Sequence, residues 1–180
     1  MMRPVQTREE YLSLRNGGRQ KEVLKAVRSG DVRQKNRLVQ MNYSCLPNED
    51  GSLKASKTMS TTVGMDIDHI SPEEMQAVRD RILAKKDELG LLMLELSARG
   101  LGYHLVFKRR PELSQEDNLR WASNLLDVAY DEGAKDITRV FFTTSEEDLI
   151  FLEDEIFQIK SVECSVESQL KKKSCTRILC

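Results

Sequence analysis

The chain has 180 residues, 28 Lys and Arg against 29 Asp and Glu for a net charge of −1, and 39% hydrophobic and 32% charged residues. That length suits one domain with a core of its own, and the composition excludes a disordered or membrane-embedded chain. The charge balance supplies no global positive field, so any contact with nucleic acid has to come from a local patch.

The N-terminus is charged from its third residue and shows no apolar signal region, and the longest apolar run, near Leu91, is too short to span a bilayer. A cytoplasmic protein without a membrane partner is expected. Cys45, Cys164, Cys175 and Cys180 have no CxxC spacing and read as reduced thiols rather than as a zinc site.

Thr7-Arg8-Glu9-Glu10 has capping-box spacing, and Val23, Leu24 and Val27 recur at helical spacing, so the first thirty residues are predicted to form short helices. Residues 37–57 mix short apolar pieces with the turn signal Pro47-Asn48-Glu49-Asp50-Gly51, which fits a hairpin or a long loop. Over residues 61–70, Met65 and Ile67 alternate with Asp66 and Asp68, predicting a strand with both carboxylates on one face. Ser71-Pro72-Glu73-Glu74 then opens a helix that carries Met75, Val78 and Ile82 on one face and ends near Gly90.

Two apolar runs of strand length, 91–96 and 103–108, flank Ser97-Ala98-Arg99-Gly100-Leu101-Gly102 and read as a hairpin. Ser114 caps a further helix with Leu119, Ala122, Leu125, Leu126 and Ala129 on its buried stripe and Gly133 just beyond its end. A strand is predicted at 137–143 and a last amphipathic helix along 149–157. The organisation is therefore α+β, with one domain over residues 1–160 and a basic tail over 161–180 that contains Lys171, Lys172 and Lys173.

Three pieces could carry chemistry. Asp66 and Asp68 supply the oxygen ligands that hard divalent cations prefer, though Asp-x-Asp also fits a solvated strand face. The glycine-bearing loop before His104 permits close backbone approach to a phosphate, and strand alternation puts His104 and Lys108 on one face. Asp131 closes the next helix eight residues ahead of Arg139, a forked cation suited to phosphate, while Asp136 and Asp127 compete for the acidic role.

Taken in this order, Asp66-Ile67-Asp68, Ser97-Ala98-Arg99-Gly100 with Gly102-Tyr103-His104, and Tyr130-Asp131 ahead of Arg139 resemble the three motifs of archaeo-eukaryotic-type primase-polymerases. The resemblance covers about residues 60–145, and the flanking segments look like the VirE N-terminal-like branch found in bacterial mobile elements, often fused to helicases. It implies an RRM-like catalytic core in which Asp66, Asp68 and Asp131 hold Mg²⁺ or Mn²⁺. Ser97, Gly102, His104, Lys108 and Arg139 would meet the incoming nucleoside triphosphate. Gly102 stands where the family more often has serine.

The implied activity is transfer of a nucleotide to a 3′-hydroxyl on a nucleic-acid template, DNA above all, with a helicase as a possible partner. Arg99, Arg109 and Arg110, with Lys108, form the basic cluster expected to follow the phosphate backbone. Two other readings fit the same residues: a non-catalytic nucleic-acid or replisome-binding domain on a primase scaffold, and a metal-dependent nuclease.

Overall fold

The computed structural model describes residues 3–162. Helix α1 (Arg8–Asn16) begins where its cap is written, the Thr7 hydroxyl accepting from the Glu10 backbone N–H. Helix α2 (Gly18–Arg28) packs Val23, Leu24 and Val27 against Leu38 and Ala98. After it the chain makes a 3₁₀ turn at Val32–Arg37 and the short strand β1 (Gln40–Met41). It then loops out through a turn at Asn48 and Gly51 and returns so that Cys45 bridges Met59.

Strand β2 (Thr62–Ile67) follows and stops one residue before Asp68. The predicted helix starts later than its sequence signal. Ser71 and Glu74 pair through their side chains in a preceding turn, α3 (Met75–Ala84) begins beyond it, and α4 (Lys86–Leu89) completes the run up to Gly90 at φ 68°. Strands β3 (Leu91–Leu96) and β4 (Tyr103–Lys108) form the predicted hairpin, with a bulge at Leu92. Helix α5 (Gln115–Leu126) is capped by Ser114 and ends before the expected Ala129, because Asp127 turns left-handed at φ 49°.

Two expectations are corrected downstream. The strand predicted at 137–143 shrinks to β5 (Phe141–Phe142), paired with β1, because the Asp136 carboxylate accepts from the backbone and hydroxyl of Thr138 and closes a turn there. The helix predicted along 149–157 is the strand β6 (Leu149–Leu152) between 3₁₀ turns at Glu146–Asp148 and Asp154–Gln158. Leu-Ile-Phe-Leu is an unbroken apolar run of strand length, and it fills the open edge of β3 where a helix could not satisfy the backbone. Of the expected basic tail, residues 163–180 lie outside the described residues, as do Cys164, Cys175 and Cys180.

The main sheet is antiparallel with strand order β2-β4-β3-β6. Because β4 lies between β2 and β3, those two strands and the α3–α4 crossover make a split β-α-β unit. Side-chain alternation divides the sheet into two faces. Val63, Met65, Ile67, Leu94, Leu105 and Phe107 face α3 and α5 and form the larger core. On the other face, Met93 and Val106 pack against α1, β1 and β5 through Tyr11, Met41, Tyr43 and Phe141. Asp66, Glu95 and His104 belong to this second face, in one row across three strands.

Candidate metal centre

Asp66, Asp68 and Asp131 come together at the end of β2. Each offers a carboxylate oxygen, and the three oxygens lie within 4.8 Å of one another. Asp66 is fixed by its place in the strand, whereas Asp68 sits just past the strand end. Asp131 arrives from the loop after α5, its backbone N–H donating to the Asp66 carbonyl at 2.8 Å. Its Oδ1 accepts from Gly133, capping a 3₁₀ turn at Glu132–Lys135. The competing acids are elsewhere: Asp136 closes its own turn with Thr138, and Asp127 pairs with Arg81 at the end of α5.

Asp66 is the buried member, 7% exposed, and its Oδ1 has no hydrogen-bond partner. Burial raises its carboxyl above the ordinary range; nearby His104 acts the other way, while Asp68 and Asp131 add to the rise. A buried, unpartnered carboxylate oxygen is costly by itself and is relieved by a cation. Around it, Arg99 pairs with Asp68 at 3.0 Å, and Arg139 reaches Asp131 at 3.2 Å and Asp66 at 4.0 Å. These two arginines offset part of the charge that draws the acids apart.

His104 stands beside this cluster, its Nε2 3.7 Å from Asp66 Oδ1. The register that pairs Asp66 with His104 also pairs His104 with Glu95, and His104 Nδ1 meets Glu95 Oε1 at 2.9 Å. Glu95 is fully buried; burial alone would raise its carboxyl, but the Arg15 guanidinium and the His104 hydrogen bond hold it down at about 2. Ionised Glu95 can only accept, so the ring proton sits on Nδ1 and Nε2 faces the acids. Thr144 Oγ1 also donates to Glu95 at 2.9 Å, and Arg15, itself fully buried, bonds both Glu95 and the Tyr11 hydroxyl.

Glu95 and Arg15 are absent from the expected site residues. Glu95 had a signal: it is the one charged residue in Leu-Leu-Met-Leu-Glu-Leu, and a hairpin closed at residues 97–102 sets it opposite His104. Arg15 had none, since an arginine near the end of an amphipathic helix normally reads as a surface cation.

The remaining expected residues divide. Ser97 is buried in the hairpin loop with its hydroxyl unpartnered, and its N–H donates to the Gly102 carbonyl. Gly102 lies against the end of β2, where an added Cβ would stand 2.1 Å from the Ile67 carbonyl oxygen. The common serine of the resembled motif therefore has no room here. Lys108 is at the far end of β4, paired with Glu155 rather than leaning toward the acids.

The expected backbone-following cluster is taken up by the fold. Arg109 is buried and donates to the carbonyls of Ser60, Ser44 and Thr62 and to Gln115, and burial lowers it to about 10. Arg110 stacks on the Trp121 ring at 3.8 Å. Only Arg99 of that set faces the acid cluster.

Comparison with protein-family models, with curated proteins and with solved structures finds no match to this chain. No helix among the described residues is long and apolar enough to cross a membrane. What the site's own donors offer is oxygen ligation: three convergent carboxylates, one with an unpartnered oxygen, fit a hard divalent cation.

Proposed function

We propose that this chain is a metal-dependent nucleotidyltransferase domain of the primase-polymerase type, adding nucleotides to a 3′-hydroxyl on a nucleic-acid template. The single observation that carries the reading is the convergence of Asp66, Asp68 and Asp131 around an unpartnered buried oxygen, beside a histidine locked by a second acid. The motif order along the sequence and the split β-α-β unit support placement with the archaeo-eukaryotic-type primase-polymerases and their RRM-like core. Membership of the VirE N-terminal-like branch, a cytoplasmic role in mobile-element replication and association with a helicase belong to the same proposal.

Asp66, Asp68 and Asp131 would hold Mg²⁺ or Mn²⁺, which when bound supplies Lewis-acid polarisation and charge neutralisation at phosphate oxygens. The chain's own part is orientation. His104 presents Nε2 at the edge of the acid cluster in a direction fixed by Glu95, and Arg139 and Arg99 place positive charge where a triphosphate's oxygens would lie. Ser97 offers a buried hydroxyl beside the same loop.

The test is extension of a labelled primer on a template with nucleoside triphosphates and Mn²⁺ or Mg²⁺, comparing the protein with Asp66→Asn and Asp68→Asn. Extension that falls at least ~100-fold in either variant supports the proposal, since cation-borne charge stabilisation is worth several kcal/mol. No extension by the unaltered protein overturns it. Shortened primer then assigns a nuclease, and template bound without change assigns a non-catalytic binding domain.

A further inference from the structure

With Lys108, Arg109 and Arg110 engaged elsewhere, the densest run of basic residues among the described residues is on α2 and the turn that follows it. Residues 19–37 hold seven Lys and Arg against two acids, an excess of five positive charges in a chain whose net charge is −1. Arg19, Lys25, Arg33, Lys35 and Arg37 form no ion pair with the described residues, and all but the half-buried Lys35 are exposed. Uncompensated cations this dense raise the local positive potential and concentrate polyanions.

This surface borders the acid centre. The hairpin loop that carries Ser97 and Gly102 packs its Ala98 into the apolar side of α2. Lys35 lies over the ring of Phe142 at 5.0 Å, three residues beyond Arg139. Between α2 and the turn at Glu146–Asp148 is a cavity of about 310 Å³ lined by Lys21, Lys25, Arg28, Ser29, Ser145 and the acid Glu147, in which Lys21 pairs with Glu147 and Arg28 with Asp148. The α2 end of the surface is thus concave, and Lys25 is the cation of that cavity that forms no ion pair among the described residues.

We propose that α2 and the 3₁₀ turn Val32–Arg37 form a phosphate-backbone track that holds a nucleic-acid strand beside the acid centre. The track's reading as a template path rests on the nucleotidyl-transfer proposal; its affinity for a strand does not. Chemistry favours a nucleic acid over an anionic membrane, because the apolar side of α2 is buried against Leu38 and Ala98 and the track exposes a single large apolar side chain, Val32, too little to insert into lipid. Recognition is through charge and is independent of base sequence.

The experiment measures binding of a fluorescently labelled single strand by anisotropy as a function of salt. It compares the protein with Lys25→Gln/Arg33→Gln/Lys35→Gln and with a control of equal charge change on the helices of the other layer, Lys85→Gln/Lys86→Gln/Arg120→Gln. Counterion release gives about 0.7 of salt slope per phosphate contact, so the first variant should lose about 2 from the slope and bind about 100-fold more weakly near 0.1 M salt. The control should change affinity less than about 3-fold.

Equal weakening in both variants, or a first variant within about 3-fold of the unaltered protein, overturns the proposal, as does tighter binding to anionic phosphatidylserine vesicles than to the strand. Asp66→Asn should bind the strand as the unaltered protein does. The track and the nucleotidyl-transfer reading therefore fail separately: the track by the salt slope, the reading by primer extension.

Discussion

Removing either member of the Arg15–Glu95 pair should destabilise the domain more than removing both. Each side chain is fully buried, and Arg15 Nε has no hydrogen-bond partner, so the pair is the one contact between opposite charges that compensates Arg15 for its desolvation, its other partners being neutral. In Glu95→Gln, Arg15 keeps only neutral acceptors, the Tyr11 hydroxyl and the Thr144 carbonyl at 3.4 Å. In Arg15→Met, Glu95 keeps His104 and Thr144 but loses its only arginine partner.

Breaking a buried pair from one side costs about 3–5 kcal/mol, a large part of the roughly 5–15 kcal/mol that holds a domain folded. The double variant leaves no buried charge uncompensated, and the amide oxygen introduced by Glu95→Gln can still accept from His104, so its cost should be about 1–2 kcal/mol. The coupling of about 4 kcal/mol or more is read from urea midpoints of the four proteins at neutral pH. Single variants costing under ~1 kcal/mol, or a double variant costing the sum of the singles, would refute the reasoning.

Acid titration gives a related signature: Glu95 is held at about 2 against an ordinary 4.5, so its contribution is complete above the unfolded value and is lost as pH falls toward the folded one. Stability should drop by on the order of 3 kcal/mol across that window, visible in urea midpoints and smaller in Arg15→Met. Gly102→Ser, which installs the residue common in the resembled motif, should lower the melting temperature by roughly 4–12 °C, because the new Cβ meets the Ile67 carbonyl oxygen. A neutral result would mean the hairpin loop yields without cost. Arg109→Met should cost about 3 kcal/mol in urea while leaving strand affinity within about 2-fold, the reverse of what a backbone-contacting arginine would show.

The β3–β4 hairpin and the caps at Thr7 and Ser114 were legible because local chemistry decides them: apolar runs bounded by glycines, and side chains that satisfy a helix's own first N–H groups. The pairing of Asp66 with Asp68 was equally local. Beyond that, tertiary demands overrode local pattern. Leu149–Leu152 became a strand because β3 needed a partner on its outer side, a fact no local window of sequence contains. Lys108, Arg109 and Arg110 look alike in sequence yet end as a surface ion pair, a buried clamp on carbonyls and a ring-stacked cation. The Arg15–Glu95–His104 chain joins residues 80 and 9 positions apart, and only sheet register brings its members together.

The outer side of β2 has a consequence for how the protein behaves in concentrated solution. No strand lies there among the described residues; instead Gly64 N–H donates to the Ser44 hydroxyl, the Thr62 carbonyl accepts from Ser60 and Arg109, and the Asp66 carbonyl accepts from Asp131. A bare strand edge is a template for another chain to add to, and here loops and side chains occupy its hydrogen-bonding groups one by one. The third acid of the cluster is therefore also a guard against self-association. Changes that loosen the segment around Asp131 would uncover β2 and invite strand addition between molecules, so loss of the site and a tendency to aggregate should appear together.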